Sequence, residues 1–193
     1  MVCVVDGESL RVIDVSDPTQ PQEMGVYKTP GLAKDVYVSG STAYVTDEKG
    51  GLWVIDLSDP TQPQEVGAYK TPGLTNDVYV SDSTAYITYE EEGFRIIDLS
   101  DPTQPKLYKY STPGWGRAVH VPGSIASGAD GTALQVIDVS DPTQPKEVGY
   151  YNAPGPVESG RYGISGGIGS IYVSGSLVYV GCGGAGLLIL ELD

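Results

Sequence analysis

Apolar and polar residues alternate along most of this chain in short runs, the two-residue period of a strand that buries one face. The stretch 35–71 shows it most clearly. Asp-Val-Tyr-Val-Ser (35–39) alternates β-branched and aromatic residues with polar ones, and Gly-Ser turns it into Thr-Ala-Tyr-Val-Thr (42–46). A polar, glycine-containing loop (47–51) leads into Leu-Trp-Val-Ile-Asp-Leu (52–57). Ser-Asp-Pro-Thr-Gln-Pro then turns the chain back into Glu-Val-Gly-Ala-Tyr (65–69). We label these predicted strands A, B, C and D; Thr-Pro-Gly (71–73) starts the crossing to the next A.

The unit recurs. Val-Ile-Asp-Val-Ser-Asp-Pro-Thr-Gln-Pro at 12–21 returns almost unchanged from 54, 96 and 136, and its marker aspartates Asp14, Asp56, Asp98 and Asp138 lie 42, 42 and 40 residues apart. A period near 42 built of short strands predicts an all-β protein, a β-propeller of four-stranded antiparallel blades. Such a unit cannot bury its apolar faces alone and is stable only when stacked on copies of itself. The chain therefore reads as one domain, 1–193, with repeats at about 1–31, 32–73, 74–114, 115–155 and 156–193 and an insertion at about 157–167.

Aligning the copies gives four A, five B, five C and four D strands, because Val2 to Val5 matches a B strand and 186–193 matches a C strand. Eighteen strands suit neither a four-blade nor a five-blade ring of complete blades. The expectation is five blades, the first and last incomplete, whose ends meet or find a partner chain; a piece of a longer chain is the alternative. Unpaired edges recruit other strands, so self-association through the unfinished terminal blades is a further expectation.

The Ser-Asp-Pro corner has a local explanation. Proline fixes φ and donates nothing to a ladder, while Asp17, Asp59, Asp101 and Asp141 can accept hydrogen bonds from turn amides. Calcium ligation by these four is the sharper alternative, weakened because neighbouring copies would lie too far apart to share an ion. Tyr37, Tyr44, Tyr79, Tyr86, Tyr172 and Tyr179 recur at matched places in A and B, as residues filling the space between blades would; a cage for a cationic ligand is the alternative.

Gly-Leu-Trp-Val-Ile-Asp-Leu-Ser-Asp-Pro and Val-Tyr-Val-Ser-Gly-Ser-Thr-Ala-Tyr-Val resemble the LVIVD-repeat family of β-propellers, and the resemblance covers nearly the whole chain. It implies a toroid of four-stranded blades and the extracellular or cell-surface setting of bacterial and archaeal exported proteins. It carries over no catalytic residue.

With 11 basic and 25 acidic residues the formal charge is −14, which repels phosphate backbones and anionic headgroups. Nucleic acid and membrane insertion are thus disfavoured, and a protein or glycan partner is expected. Only Cys3 and Cys182 are present, too few for a disulfide framework or a four-thiolate zinc site. The chain has no 18-residue apolar run, and its first residues show neither a charged leader nor the apolar core of a signal peptide.

Candidate function lies where the repeat breaks. With strands running A to D outward, the D-to-A crossings and B-to-C loops share one face, and there the copies differ. Lys34-Asp35, Asn76-Asp77, Arg117-Ala118 and Gly169-Ser170 occupy equivalent positions at the channel mouth. The glycine-rich insertion adds Glu158, Arg161 and Tyr162, either as a plug or as a ligand-contacting loop. Asp6, Glu8, Asp47, Glu48, Glu90 to Glu92 and Asp130 form an acidic rim that could concentrate Ca²⁺, although no cofactor and no metal site is expected. The single histidine, His120, stands where other copies have tyrosine and has no second histidine beside it. The expectation is therefore a non-catalytic binding or scaffold module. The alternative is a metal-dependent or acid/base hydrolase or lyase working through mouth carboxylates such as Asp35 and Asp77.

Overall fold

Every alternating run becomes a strand, and every Gly-Ser, Asp-Pro or polar loop becomes the turn that reverses it. The computed structural model describes residues 1–49, 51–90, 93–108, 110–112, 114–130, 133–152 and 167–192. Among them are five antiparallel sheets in chain order. The first holds β1 (Val2–Val5), β2 (Ser9–Asp14) and β3 (Gln22–Lys28), and the second β4 (Ala33–Ser39), β5 (Thr42–Asp47), β6 (Gly51–Asp56) and β7 (Gln64–Tyr69). The third holds β8 (Thr75–Ser81), β9 (Thr84–Tyr89), β10 (Gly93–Asp98) and β11 (Lys106–Tyr108). The fourth holds β12 (Ala118–His120), β13 (Ile125–Ala129), β14 (Ala133–Asp138) and β15 (Lys146–Asn152), and the fifth β16 (Ser170–Ser174), β17 (Leu177–Gly181) and β18 (Leu187–Glu191). The three central sheets have four strands and the two end sheets three, the first without an A strand and the last without a D strand, as the strand count required.

Alternation gives each sheet two apolar faces. The face that meets the following sheet carries Tyr44, Leu52 and Val54 in the second blade, packed on Val78, Val80, Ala85, Ile87 and Ile97 from the opposite face of the third. The same pairing joins Leu10 and Val12 to Ala43, Val45 and Ile55, then Tyr86, Phe94 and Ile96 to Val119, Ala126 and Ile137, and then Leu134 to Val173, Val178 and Val180. Full burial of each such side chain contributes about 1.5–3 kcal/mol, so the stack of faces is the core.

At the two ends the series is unfinished. The forward face of the fifth sheet exposes Tyr172, Leu187 and Ile189, and the rear face of the first exposes Val2, Val4 and Val26. The ends of the chain do not cover one another.

The corners behave as their residues dictate. In all four, the Asp side chain accepts from the backbone N–H and the hydroxyl of the Thr two residues on, at 2.9 and 2.7 Å for Asp17 and at 3.0 and 2.6 Å for Asp59, Asp101 and Asp141. These bonds hold the four carboxyls below their usual range, the hydroxyl contributing most. The second and third corners also reach back to the blade before. A β-bulge in the C–D ladder, between Val12 and Ile13 and again between Val54 and Ile55, sets Gly25 and Gly67 against the next blade's corner. There a Cβ on Gly25 would lie 2.8 Å from Pro63 Cδ, and one on Gly67 would collide with the Pro102 carbonyl oxygen.

Gly67→Ala should therefore destabilise the fold by about 1–3 kcal/mol, the usual cost of overpacking. Gly149 occupies the same place in the fourth blade, where an added Cβ would meet nothing closer than Val136 at 3.7 Å. Gly149→Ala should change stability by less than about 0.5 kcal/mol. Urea unfolding of the two variants beside the parent measures both.

Candidate binding face and the carboxylate belt beneath it

The D-to-A crossings and B-to-C loops do share a face, because they hydrogen-bond to each other. Thr29 N donates to Glu8 O at 3.2 Å, Ala33 N to Gly7 O at 2.9 Å, Glu48 N to Leu32 O at 3.0 Å and Glu90 N to Leu74 O at 3.0 Å. Gly31 N donates to the Asp47 carboxylate at 2.8 Å, and Thr75 Oγ1 donates to Asp47 O at 2.7 Å. The first two crossings are thus each tied to a loop of the blade before and to a loop of the blade after.

Several residues of the acidic rim are consumed in building it. Asp6 accepts from Glu8 N at 3.1 Å, Ser9 N at 2.9 Å and Ser9 Oγ at 3.0 Å, and pairs with Arg11. Arg11 and then Ser9 hold the Asp6 carboxyl down at about 2. Asp47 and Asp130 are buried, Asp47 accepting also from Lys49 N at 3.0 Å and Asp130 from Ala133 N at 2.7 Å. Glu8 stays exposed, and the half-buried Glu48 and Glu90 flank a cleft floored by Thr71, Pro72, Gly73 and Leu74; Glu91 and Glu92 lie outside the described residues. Among the described residues no three His, Cys, Asp or Glu side chains converge as a metal site would need.

The channel-mouth residues divide in two. Lys34 stays at the surface, paired with Glu48 at 2.5 Å, and Arg117 is half-buried, its backbone N donating to Ala129 O at 2.8 Å. Asn76 Nδ2 donates to Gly116 O at 2.6 Å, and Thr46 Oγ1 donates to Asn76 O at 3.2 Å, which links three successive blades. Asp35 and Asp77 belt the inner strands. The A strand is the edge of its blade, so its outer-directed amides have no ladder partner. Asp35 Oδ2 accepts from Val78 N at 3.1 Å, and Asp77 Oδ2 from Val119 N at 2.7 Å, each reaching into the next blade. The fourth blade has Ala118 in place of aspartate, and there His120 Nδ1 accepts from a different amide of the next blade, Val173 N, at 3.3 Å. Glu158, Arg161, Tyr162 and all but the end of the 157–167 insertion lie outside the described residues.

Asp35 and Asp77 also meet each other, since Val78 N lies 3.0 Å from Asp77 Oδ1 as well. Burial, then the hydrogen bond to Asp35, then its charge push the Asp77 carboxyl up to about 8, against the pull of the Val119 and Val78 amides. At neutral pH the pair holds a proton. Below the carboxylates runs a row of rings, Tyr37 to Tyr79 at 4.9 Å, Tyr79 to His120 at 4.9 Å and His120 to Tyr172 at 5.1 Å between centroids. His120 therefore sits in a packing position among aromatic rings, and burial lowers its pKa.

The LVIVD repeat pattern matches residues 2–29, 30–71, 72–112, 114–153 and 165–191. The chain belongs to the LVIVD repeat family. Its LVIVD blades are similar in fold to the crystal structure of the computationally designed Ika8 protein, with a TM-score of 0.74 at 9% identity over 98% of this chain and 55% of that one. A functionally unknown protein from Desulfotomaculum acetoxidans DSM 771 gives 0.72 at 14% identity over 92% of this chain and 58% of that one. The computationally designed Ika4 protein gives 0.64 at 12% identity over 89% and 99%. The chain thus spans little more than half the length of the first two. No curated protein sequence matches it.

One residue of this face was not singled out from the sequence. Trp115 follows Gly114 in the third crossing and is 46% exposed, at the place held by Leu32 and Leu74 in the two earlier crossings. Its backbone is pinned, Trp115 N donating to Asp130 O at 3.2 Å and Gly116 N to Tyr89 O at 3.1 Å. A Cβ on Gly116 would press on Thr88 Cβ at 2.7 Å and on the Gly93 carbonyl. The signal lay in the repeat: a large apolar residue recurs after each Thr-Pro-Gly, where a solvated crossing gains nothing from one.

The belt implies a definite pH response. The folded chain keeps the Asp77 proton up to about pH 8, whereas an unfolded aspartate releases it near 4. The protonated form's contribution is full below the unfolded value and is lost as pH rises through this window. Asp77→Asn, neutral throughout, should lose less stability than the parent between pH 5 and pH 8. The His120 contribution cancels in that comparison, which denaturant midpoints at the two pH values supply.

Proposed function

We propose that this chain is a non-catalytic binding module of a cell-surface or exported protein, and that it takes a protein partner on the face of crossings and B-to-C loops. The observation that carries this reading is Trp115, a large aromatic left half in solvent on a backbone hydrogen-bonded to the blades on either side. Tryptophan and arginine are the commonest anchors of protein contacts, and Arg117 follows two residues later. Leu32, also exposed, continues the apolar row, and Glu48 and Glu90 place charge beside it, the mix of apolar centre and polar rim found at contact surfaces. A row extended over three crossings suits a protein better than a single sugar. The exported setting is supported by the LVIVD resemblance; among the described residues no helix is long and apolar enough to cross a membrane.

The carboxylate pair also supports a binding role. An acid/base enzyme needs carboxylate oxygens that reach the substrate. Here Asp77 is half-buried and each of its oxygens faces a backbone amide, one of which it shares with Asp35.

Fluorescently labelled chain applied to arrays of surface-protein ectodomain peptides and of glycans tests this. Peptides bound by the parent should lose about 2 kcal/mol or more, roughly thirtyfold in affinity, with Trp115→Ala. Binding confined to glycans, binding indifferent to Trp115→Ala, or hydrolysis of a bound compound that disappears with Asp77→Asn would each refute it.

A further inference from the structure

The two ends of the blade series present faces that the chain elsewhere always buries against each other. In register, Leu187 and Ile189 on β18 are the counterparts of Leu52 and Val54 on β6, and Tyr179 on β17 is the counterpart of Tyr44 on β5. Leu52 and Val54 are 0% exposed, but Leu187 is 66% and Ile189 54% exposed. At the other end Val2 and Val4 on β1 stand where β5 has Ala43 and Val45 and β9 has Ala85 and Ile87, all four fully buried, yet they are 44% and 41% exposed. Apolar side chains in such numbers on a flat sheet face mark a contact surface.

We infer that the forward face of the fifth sheet takes the rear face of the first sheet of a second copy of this chain, head to tail. The occupant follows from continuity with an interface already present. A forward face of the Tyr179, Leu187, Ile189 type meets a rear face of the Val2, Val4, Ile13 type at four places inside this chain, so the fifth instance needs no new chemistry. Arg11, with its ion pairs to Asp6 and Glu23, also sits on that rear face. It is no obstacle: Arg95 holds the same position on β10, half-buried against the second sheet, with its guanidinium 5.2 Å from the Tyr89 ring centroid. The contact is heterologous, each copy offering one face of each kind, and it lies at the ends of the blade series, apart from the loop face proposed above. A head-to-tail contact closes into a ring of copies when its rotation allows and otherwise grows into a chain.

Sedimentation velocity of the 193-residue chain across 1–100 μM tests the inference, with far-ultraviolet circular dichroism confirming that each variant is folded. The parent should show a concentration-dependent species of twice 20.3 kDa or a higher multiple. Ile189→Glu, which spoils only the forward face, and Val4→Glu, which spoils only the rear face, should each sediment as monomers, with association weakened at least tenfold. Mixed in equal amounts they should recover a dimer, because each supplies the face that the other has lost. Ile189→Ser and Val4→Ser serve where a buried glutamate prevents folding. A folded parent that stays monomeric throughout overturns the inference and assigns the faces to further blades or to another protein. Association that survives either substitution alone, or a mixture that stays monomeric, overturns the head-to-tail arrangement.

Discussion

The fold depends on one contact made repeatedly, the burial of the forward face of each sheet against the rear face of the next. No sheet here has a core of its own. The second sheet illustrates this, since Leu52 and Val54 look forward into the third blade while Ala43, Val45 and Ile55 look back into the first. Removing a neighbour exposes a whole face, as the two end sheets show. Stability in such a series is a sum over neighbouring pairs, so each blade depends on its neighbours more than on its own ladder.

Everything polar is arranged so that this stacking can proceed. The corner aspartates satisfy the turn amides locally, and Gly25 and Gly67 let the second and third corners seat on the blade before. At the inner edge, where an A strand has no fifth strand to pair with, Asp35, Asp77 and His120 supply acceptors for the next blade's amides. Two carboxyls near one amide cannot both ionise cheaply where they are partly desolvated, and the pair keeps a proton at neutral pH as the consequence. Perturbed groups are also what active sites display, and this one accepts from the amides of Val78 in its own blade and Val119 in the next.

The likeness of the copies separates scaffold from individuality. Corners repeat almost letter for letter because each closes the same turn with the same Asp-to-Thr hydrogen bonds, whereas the crossings vary wherever their side chains leave the stack. Lys34, Asn76 and Arg117 differ at one position, and Leu32, Leu74 and Trp115 at another. The first set was visible as a break in the repeat. The second was hidden because leucine and tryptophan read as core residues, and only the pinned crossing shows that Trp115 is turned toward solvent.

Strand number, strand order, the missing A and D strands and the role of the Asp-Pro corner were all legible in the chain, because two-residue alternation and turn chemistry are local properties that repetition amplifies. The packing role of Tyr37, Tyr44, Tyr79 and Tyr86, and of His120 in a tyrosine position, was legible for the same reason, while Tyr172 and Tyr179 lie on the uncovered face of the last sheet. What a carboxylate touches is not local. Asp47 and Asp130 read as an acidic rim and are buried beneath their loops, and Asp35 and Asp77 read as a channel-mouth pair and are inner-edge acceptors for the next blade. Those assignments depend on residues some forty positions away, brought near only when one sheet lies on another. Whether the first and last faces cover each other likewise depends on the angle between successive blades, a rotation that no single repeat encodes.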